Sequence, residues 1–283
     1  MKKVIFGILI LIGGVLTISA CKGKASELQH ETFRYEILEK WELPKALNEV
    51  SGIAWIGDNR IACVQDEDGI IFLYNLKDSK IEEEIEFGNG GDYEGIAVVE
   101  KDAYVLRSDG IILEVSDYLG KDPQVQRHVT NISQLPGINI EGLCADPAND
   151  RLLLAVKERK NCDEYKEVFA FNLNKKASDE NAFFSIDLSD PIFKNVDEKF
   201  SEKFTPGEMN IHPITGEFFI LDGTRPKLLI TENDGRPKEL FMLKLKDFGN
   251  PEGLTFNPEG ELYISNEAED GPASILKVSL NRN

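Results

Sequence analysis

The apolar residues of this chain fall into short runs separated by turn-forming residues, and one run recurs along the sequence. Measured at the second residue of each copy, positions 52, 95, 142, 208 and 253, the copies lie 43, 47, 66 and 45 residues apart. An interval of about 40 to 50 residues is typical of a four-stranded propeller blade. The copies are SGIA at 51–54, EGIA at 94–97, EGLC at 141–144, GEMN at 207–210 and EGLT at 252–255.

The fourth copy is aligned through the proline that follows it. Pro147, Pro213 and Pro258 take one register after their copies, and this places Glu208 opposite the glycines of the other four. His212, which precedes Pro213, is accordingly interpreted as a turn residue rather than a chemical group.

Further strands are predicted after each copy, separated by turns. Second strands are expected at 60–65, 103–107, 151–157, 217–222 and 261–266, third strands at 70–76, 111–115, 168–173, 227–231 and 274–280, and fourth strands at 80–87, 124–129, 183–188 and 239–245. The alternating apolar residues of 33–43 can supply the missing fifth one and close the ring, which removes exposed sheet edges. We therefore predict an all-β fold, a single propeller of five four-stranded blades. Six blades, or a β-sandwich, are the alternatives.

The long third interval contains apolar residues at helical spacing in 190–204. Ile192, Phe193, Val196, Phe200 and Phe204 would lie on one face of a short amphipathic helix. We expect this helix to pack on the propeller, the alternative being a lid or a partner surface.

The N-terminal segment has the pattern of a secretion signal. Lys2 and Lys3 precede an apolar run at 4–18, which is short for a membrane span of about 20 residues. The sequence ISAC at 18–21 resembles a bacterial lipobox, in which the cysteine is lipidated and becomes the new N terminus. We predict a lipoprotein signal peptide at 1–20, a lipidated tether at 21–32 that begins with Cys21, and the propeller domain at 33–283. By resemblance to bacterial lipoproteins, Lys22 favours the outer membrane of the cell envelope over the inner one.

The net charge of the chain limits the classes of partner that it can bind. The 283 residues carry 50 acidic against 32 basic side chains, a formal net charge of −18. An excess of negative charge opposes binding to nucleic acid and basic docking on anionic lipid, but leaves a cationic or metal partner open. We expect a monomer attached to the membrane through its lipid.

The remaining cysteines predict no disulfide framework. Cys63, Cys144 and Cys162 are odd in number, so at most one bridge can form, and Cys144 with Cys162 is the pair to test. Neither a CxxC motif nor zinc-ligand spacing occurs, and the three histidines are scattered.

Carboxylates recur at the blade period. Glu94, Glu141 and Glu252 lead their copies, and the first strand of each blade lines the central channel, so these side chains are predicted to converge on one channel mouth. Three such charges repel one another unless Arg107 and Lys157 neutralise them, a metal binds them, or the mouth holds protons or water. Carboxylate and amide oxygen ligands favour Ca²⁺ or Mg²⁺ over zinc or copper.

Two sets of residues follow as candidates. Those that can hold a metal are Glu94, Glu141, Glu252, Asp66 and Asp222, and those that can bind a ligand are Arg107, Lys157, Glu158, Asn266 and Glu267.

The repeated sequences SGIA at 51–54, EGIA at 94–97, EGL at 141–143 and EGL at 252–254, together with Lys157-Glu158 and Asn266-Glu267, resemble the SdiA-regulated family of bacterial envelope β-propellers over about residues 33–280. The resemblance implies the fold and an envelope location. Arg107-Ser108 stands where the family pattern has an acidic pair, and Gly207-Glu208 replaces a Ser-Gly-like pair.

The sequence contains no G-x-S-x-G elbow and no phosphate-binding loop. We therefore expect a non-catalytic propeller that binds a ligand, a divalent cation or an envelope protein at its acidic mouth. The alternative is a Ca²⁺-dependent hydrolase of a phosphoester or lactone, in which Arg107 and Lys157 orient an anionic substrate.

Overall fold

A computed structural model describes residues 34–162, 164–193, 204–269 and 271–282. The predicted signal, Cys21 and the tether lie outside the described residues. No helix in the described ranges is long and apolar enough to cross a membrane.

The described chain forms five antiparallel sheets arranged as the blades of a β-propeller, which confirms the predicted fold. Blade 1 holds β2 (Val50–Gly57), β3 (Arg60–Gln65), β4 (Ile70–Asn75) and β5 (Lys80–Glu86). Blade 2 holds β6 (Tyr93–Val99), β7 (Asp102–Arg107), β8 (Ile111–Ser116) and β9 (Gln124–Val129). Blade 3 holds β10 (Asn139–Asp146), β11 (Arg151–Glu158) and β12 (Tyr165–Asn172), and both β13 (Ala177–Ser178) and β14 (Phe184–Asp187) pair with β12.

Blade 4 holds β15 (Glu208–Ile211), β16 (Phe218–Asp222), β17 (Lys227–Thr231) and β18 (Pro237–Met242). Blade 5 holds β19 (Pro251–Phe256), β20 (Leu262–Asn266), β21 (Ser274–Leu280) and, as its outermost strand, β1 (Tyr35–Glu42). Short 3₁₀ turns occupy Lys45–Leu47, Asn131–Gln134, Pro147–Asn149 and Pro191–Phe193.

Successive side chains of a strand pack against opposite neighbouring blades, because both faces of each blade are buried. In β3, Ile61 and Cys63 belong to the apolar cluster shared with blade 5, whereas Ala62 and Val64 belong to the cluster shared with blade 2. Each of the other seams between blades holds an apolar cluster of the same kind. The core is therefore divided among the seams.

The ring is closed as predicted, by pairing of the N-terminal strand β1 with β21 from Tyr35↔Leu280 to Glu42↔Ser274. Arg282, just after β21, bonds Glu217 of blade 4 at 2.6 and 2.8 Å and Glu239 at 2.7 Å. Arg34, just before β1, donates to the Leu240 carbonyl at 3.1 Å. Both ends of the propeller chain therefore contact blade 4 as well as each other.

The long interval in blade 3 accommodates an extra short strand rather than a sixth sheet in its described part. The helix predicted at 190–204 is described only at its ends, with a single 3₁₀ turn at Pro191–Phe193, and 194–203 lie outside the described residues. Phe193 and the buried Phe204 pack together with ring centroids 5.7 Å apart, against the cluster between blades 3 and 4. These ends of the segment therefore serve packing.

The disulfide considered between Cys144 and Cys162 does not form, because all three described cysteines are free. Cys144 lies fully buried in the cluster between blades 3 and 4. Cys162 lies in the turn after β11, where its thiol contacts the Tyr165 carbonyl. The inner strand and the surface turn hold the two thiols in different environments.

Candidate functional site

The innermost strands approach one another closely where the repeated phrase begins. A Cβ placed on Gly52 would lie 2.6 Å from the Cα of Gly95, and one on Gly95 would lie 2.7 Å from the Cβ of Leu143. Such distances are too short for real side chains, so glycine is required at this level of the ring. The end of the channel marked by Glu94, Glu141 and Glu252 is called the mouth from here on.

Blade 4 differs from the other blades at the glycine level because it carries Glu208 there. The ladder pairs Glu208 with Leu221 as it pairs Gly95 with Leu106, so the predicted register is correct. The Glu208 side chain is 1% exposed, and its Oε1 accepts hydrogen bonds from the amides of Leu143 and Met209 at 2.8 and 2.7 Å. Its Oε2 has no hydrogen-bond partner among the described residues.

Sequence reasoning aligned Glu208 correctly but did not include it among the candidate site residues. Burial raises its pKa well above the ordinary value, opposed by the two backbone amides, and the charges of Glu252 and Glu94 raise it further. Glu208 therefore belongs to the same electrostatic group as the mouth glutamates. The signal that could have identified it is that Glu208 is the one carboxylate at the position where the other four copies have Gly52, Gly95, Gly142 and Gly253.

One of the three mouth glutamates, Glu141, forms an ion pair with a lysine. The Nζ of Lys157 lies 2.7 Å from Oε2 of the buried Glu141, whose Oε1 accepts a hydrogen bond from Asn139 Nδ2 at 3.0 Å. Lys157 is thus the internal counter-charge that the sequence predicted. Arg107 is not, because it pairs with Asp109, only two residues away, at 2.8 Å.

Glu94 and Glu252 have neither an ion pair nor a side-chain hydrogen bond within the described part of the chain. Burial, reinforced by the charges of Glu141, Asp92 and Glu252, raises the pKa of Glu94 to about 9. Burial together with the charges of Glu141 and Glu267 raises the pKa of Glu252 to about 8. The carboxylates of Glu141 and Glu252 each lie 3.7 Å from the position that a Cβ on Gly207 would take, so they converge on that glycine.

The carboxylate of Asp222 is paired with other groups of the protein. Its Oδ2 lies 2.9 Å from the Nζ of Lys227, and both side chains are almost fully buried. Thr205 donates its amide to Asp222 at 3.1 Å and its hydroxyl at 2.9 Å. Asp222 therefore acts as a structural anchor in this arrangement.

The other acidic candidate of the second strands, Asp66, is partly exposed, and one of its oxygens has no hydrogen-bond partner among the described residues. Burial and the charges of Glu49, Glu67 and Asp92 raise its pKa. The ladder places Gln65 opposite Val50. Gln65, and not Asp66, thus takes the position that corresponds to Arg107 opposite Tyr93. The predicted alignment was off by one residue at this blade end and also in blade 3, where Val156, opposite Ile140, takes the position assigned to Lys157.

A cavity of about 770 Å³ opens at the mouth end of the seam between blades 4 and 5. Lys157, Glu252 and Glu267 line it together, whereas Glu158 is exposed at the end of β11 and does not. Glu267 accepts a short hydrogen bond from Asn250, and burial raises its pKa to about 7. The structure thus brings two of the predicted ligand-binding residues to one of the predicted metal ligands.

Asn266, the residue before Glu267, is 5% exposed, and neither polar atom of its side-chain amide has a hydrogen-bond partner among the described residues. It follows Leu262 and Ile264 on alternate positions of β20, and those two residues pack in the cluster between blades 4 and 5. Alternation therefore directs Asn266 to the seam between blades 4 and 5, although Asn266 is not among the residues that line the cavity.

Across the described residues, no group of three or more His, Cys, Asp or Glu side chains is arranged to hold a metal ion. Lys157 and Lys227 contact carboxylate oxygens that would otherwise be available as ligands. Calcium binding at Glu94, Glu141 and Glu252 stays a prediction, and it requires these side chains to rearrange.

Five antiparallel blades around an acidic mouth define this chain as a five-bladed β-propeller protein. Within that class, the family described as SdiA-regulated matches residues 24–272, and the chain belongs to it. No curated protein matches the sequence.

Several solved structures share the fold. The glutaminyl cyclase of Myxococcus xanthus is 14% identical with a TM-score of 0.60, over 87% of this chain and 96% of that one. A protein of unknown function from Bacteroides thetaiotaomicron is 13% identical with a TM-score of 0.53, over 87% of this chain and 72% of that one. The aldose sugar dehydrogenase of Streptomyces coelicolor, solved with PQQ bound, is 12% identical with a TM-score of 0.50, over 87% and 97%. At these identities the likeness concerns the fold alone.

Proposed function

We propose that the protein is a lipid-anchored envelope protein whose propeller binds a positively charged ligand at the mouth without transforming it. The observation that carries the proposal is the charge imbalance there. Lys157 neutralises Glu141, while neither Glu94 nor Glu252 forms an ion pair among the described residues. Without a cation, burial raises the pKa of Glu94 to about 9 and that of Glu252 to about 8, so a bound cation would displace their protons and should bind more tightly as the pH rises.

His128, His212 and the thiol of Cys63 are engaged away from the mouth, which supports binding over catalysis by an imidazole or a thiol; the mouth carboxyl groups are the remaining acid–base candidates. His128 bonds Glu114 at 2.7 Å on the outer part of blade 2. The Nδ1 of His212 accepts the turn amides of Ile214 and Thr215 at 3.3 and 3.2 Å. Burial raises the pKa of the Cys63 thiol far above the range in which a thiolate forms.

The binding proposal is tested by thermal unfolding of the purified full chain at pH 8 with increasing Ca²⁺, guanidinium or 1,4-diaminobutane. A ligand at 100 times its Kd stabilises the native state by about 2.7 kcal/mol, so a saturable rise in Tm is expected with at least one cation. The rise should disappear in the Glu94→Gln/Glu252→Gln double variant. Exposed Glu84 in β5 offers the matched control, since Glu84→Gln removes a charge away from the mouth. No saturable rise with any of the three cations would refute the proposal.

A hydrolase function predicts turnover of a substrate at the mouth, which the binding function does not. If the mouth were catalytic, wild-type protein with Ca²⁺ would turn over a phosphoester or lactone, and Glu141→Gln would lower that turnover by orders of magnitude while remaining folded. Such a result with 4-nitrophenyl phosphate or γ-butyrolactone would replace binding by catalysis.

Lipid anchoring is tested separately. Radiolabelled palmitate should incorporate into the wild-type protein and not into Cys21→Ala. Equal incorporation into both, or none into either, would remove the anchor from the proposal and leave the mouth unaffected.

A further inference from the structure

The polypeptide enters the propeller at the end opposite the mouth. In blade 5, β19 begins at Pro251, beside the mouth residue Glu252, and ends at Phe256. Two antiparallel pairings later β21 runs in the same direction, and its last residue, Leu280, pairs with Tyr35, the first residue of β1. Residues 33 and earlier are therefore joined to the propeller at the end that carries Phe256 and Leu280. This end is called the far face from here on.

The length of chain before the propeller limits which face can lie on a membrane. Twelve residues, 22–33, separate the predicted lipidation site Cys21 from Arg34. In any conformation they span at most about 47 Å, the reach of a fully extended chain. The eight residues of β1 alone are about 26 Å long. To bring the mouth against a membrane, the segment would use more than half of its greatest reach to retrace one blade, whereas the far face requires no such detour.

The far face also carries exposed apolar side chains. Ile214, in the turn between β15 and β16, is 69% exposed, the highest value for a large apolar residue in the described part of the chain. Leu38 of β1 is 51% exposed and lines a cavity of about 340 Å³ between blades 4 and 5. Gly260 lines the same cavity, and a Cβ placed on it would lie 3.3 Å from Cδ1 of Ile214. Ile214 and Leu38 therefore flank one cavity on the far face.

The charged side chains that line this cavity have partners within the protein. The Nζ of Lys277 lies 2.9 Å from Glu261, and Arg282 donates to Glu217 at 2.6 and 2.8 Å. Burial lowers the pKa of His212, so its ring is neutral at pH 7. The remaining lining is apolar or aromatic and includes Phe219, Phe256, Val278 and Leu280. The mouth, by contrast, is acidic, and negative charge is repelled by anionic lipid.

We propose that the far face of blades 4 and 5, with Ile214 and Leu38, lies against the lipid surface that holds the anchor, and that the mouth opens away from the membrane. This inference rests on the lipid anchor of the proposed function and adds the orientation of the propeller. A ligand then reaches the mouth from the aqueous side and not from the bilayer.

The test is contact quenching of a thiol-linked fluorophore by spin-labelled lipid, with the full lipidated chain in phosphatidylcholine liposomes. Single labels are attached through Ile214→Cys, Leu38→Cys and, as the matched control, Leu245→Cys, since Leu245 is 57% exposed at the mouth cavity. All three carry Cys162→Ser, because the other two described cysteines are buried. We expect the spin label to lower the fluorescence at the first two positions at least twofold and to leave the third unchanged.

The outcomes separate the orientation from the anchor. Quenching that is equal at all three positions, stronger at Leu245 than at Ile214, or absent from an anchored chain would overturn the orientation and leave the anchor standing. If the wild-type chain does not float with the liposomes, the anchor and the inference fail together. Cys21→Ala should remain in the unbound fraction. If it still floats and is quenched at Ile214, the far face binds lipid and the anchor is removed.

A second measurement does not depend on a fluorophore at the lipid surface. Ile214→Cys and Leu245→Cys are labelled with a polyethylene glycol maleimide, which is too large to enter the bilayer. Anchoring should slow the reaction at Ile214 at least tenfold relative to the detergent-solubilised chain and should leave the rate at Leu245 unchanged. Slowing at Leu245 alone would place the mouth against the membrane and overturn the proposal.

Discussion

Glu94→Gln should stabilise the protein at alkaline pH and have little effect under acidic conditions. Glu94 lies among Glu141, Asp92 and Glu252, and burial together with these charges raises its pKa to about 9. Glutamine has nearly the same shape and no charge to repel. The substitution therefore isolates the cost of holding this carboxyl group in an acidic mouth.

The sign follows from proton linkage. Because the native pKa lies above the ordinary value of 4.5, the native state binds the proton more tightly than the unfolded state does. The stabilisation by this proton is fully present below pH 4.5 and is lost as the pH rises through about 9. Wild type should lose stability over that window, and Glu94→Gln should lose less.

Solvent screening limits the stability gain expected for Glu94→Gln. A pKa difference between 4.5 and about 9 corresponds to about 6 kcal/mol at 1.36 kcal/mol per unit. Because Glu94 is partly exposed and Lys157 lies nearby, screening reduces the expected gain at pH 8 to on the order of 2 kcal/mol. For a domain of this size that gain corresponds to a rise in Tm of about 4–8 °C.

Urea unfolding monitored by circular dichroism at pH 5 and pH 8 measures the difference directly. Glu84→Gln is the control, because it removes the same charge from an exposed position on β5. A stability difference between Glu94→Gln and wild type that is the same at both pH values would refute the electrostatic reasoning. So would a destabilised variant at pH 8.

Further predictions concern the supports of the ring. Lys227→Met should lower the free energy of unfolding by about 3–5 kcal/mol in urea titrations, because Asp222 would remain buried without its cation, and Lys227→Met/Asp222→Asn should recover part of the loss. Arg282→Ala should cost about 1–3 kcal/mol in thermal unfolding, because two glutamates of blade 4 lose charge-assisted hydrogen bonds. Gly52→Ala should prevent folding or lower Tm sharply, because the added Cβ would lie 2.6 Å from the next blade, whereas Gly271→Ala meets no atom within 4 Å and should melt like wild type.

The architecture could be predicted from the sequence because it follows from local pattern and period. The repeated phrase marks the innermost strand of every blade, and alternation identifies β1 as the strand that closes blade 5. In blade 3 the fourth strand predicted at 183–188 corresponds to β14, whereas β13, which also pairs with β12, was not predicted. A strand of two residues is too short for a periodic signal.

The site could be predicted only in part. The convergence of Glu94, Glu141 and Glu252 follows from register, which the sequence contains. The ion-pair partner of each charged side chain cannot be read from the register, because it depends on which neighbours compete for that charge in the folded structure. Arg107 pairs with Asp109 instead of the mouth, and Lys227, absent from the sequence prediction, takes Asp222.

The pairing of β1 with β21 has a consequence for how the protein matures. The two strands of this ladder come from opposite ends of the propeller chain, so the last blade cannot assemble until almost the whole polypeptide has been delivered. Contacts between such distant residues form late, since the long intervening segment must first be ordered. If the N terminus is held at a membrane during export, it must wait there for the opposite end. A product cut short before Ser274 would then keep an unpaired strand edge open to other chains, and proteolysis rather than assembly would be its expected fate.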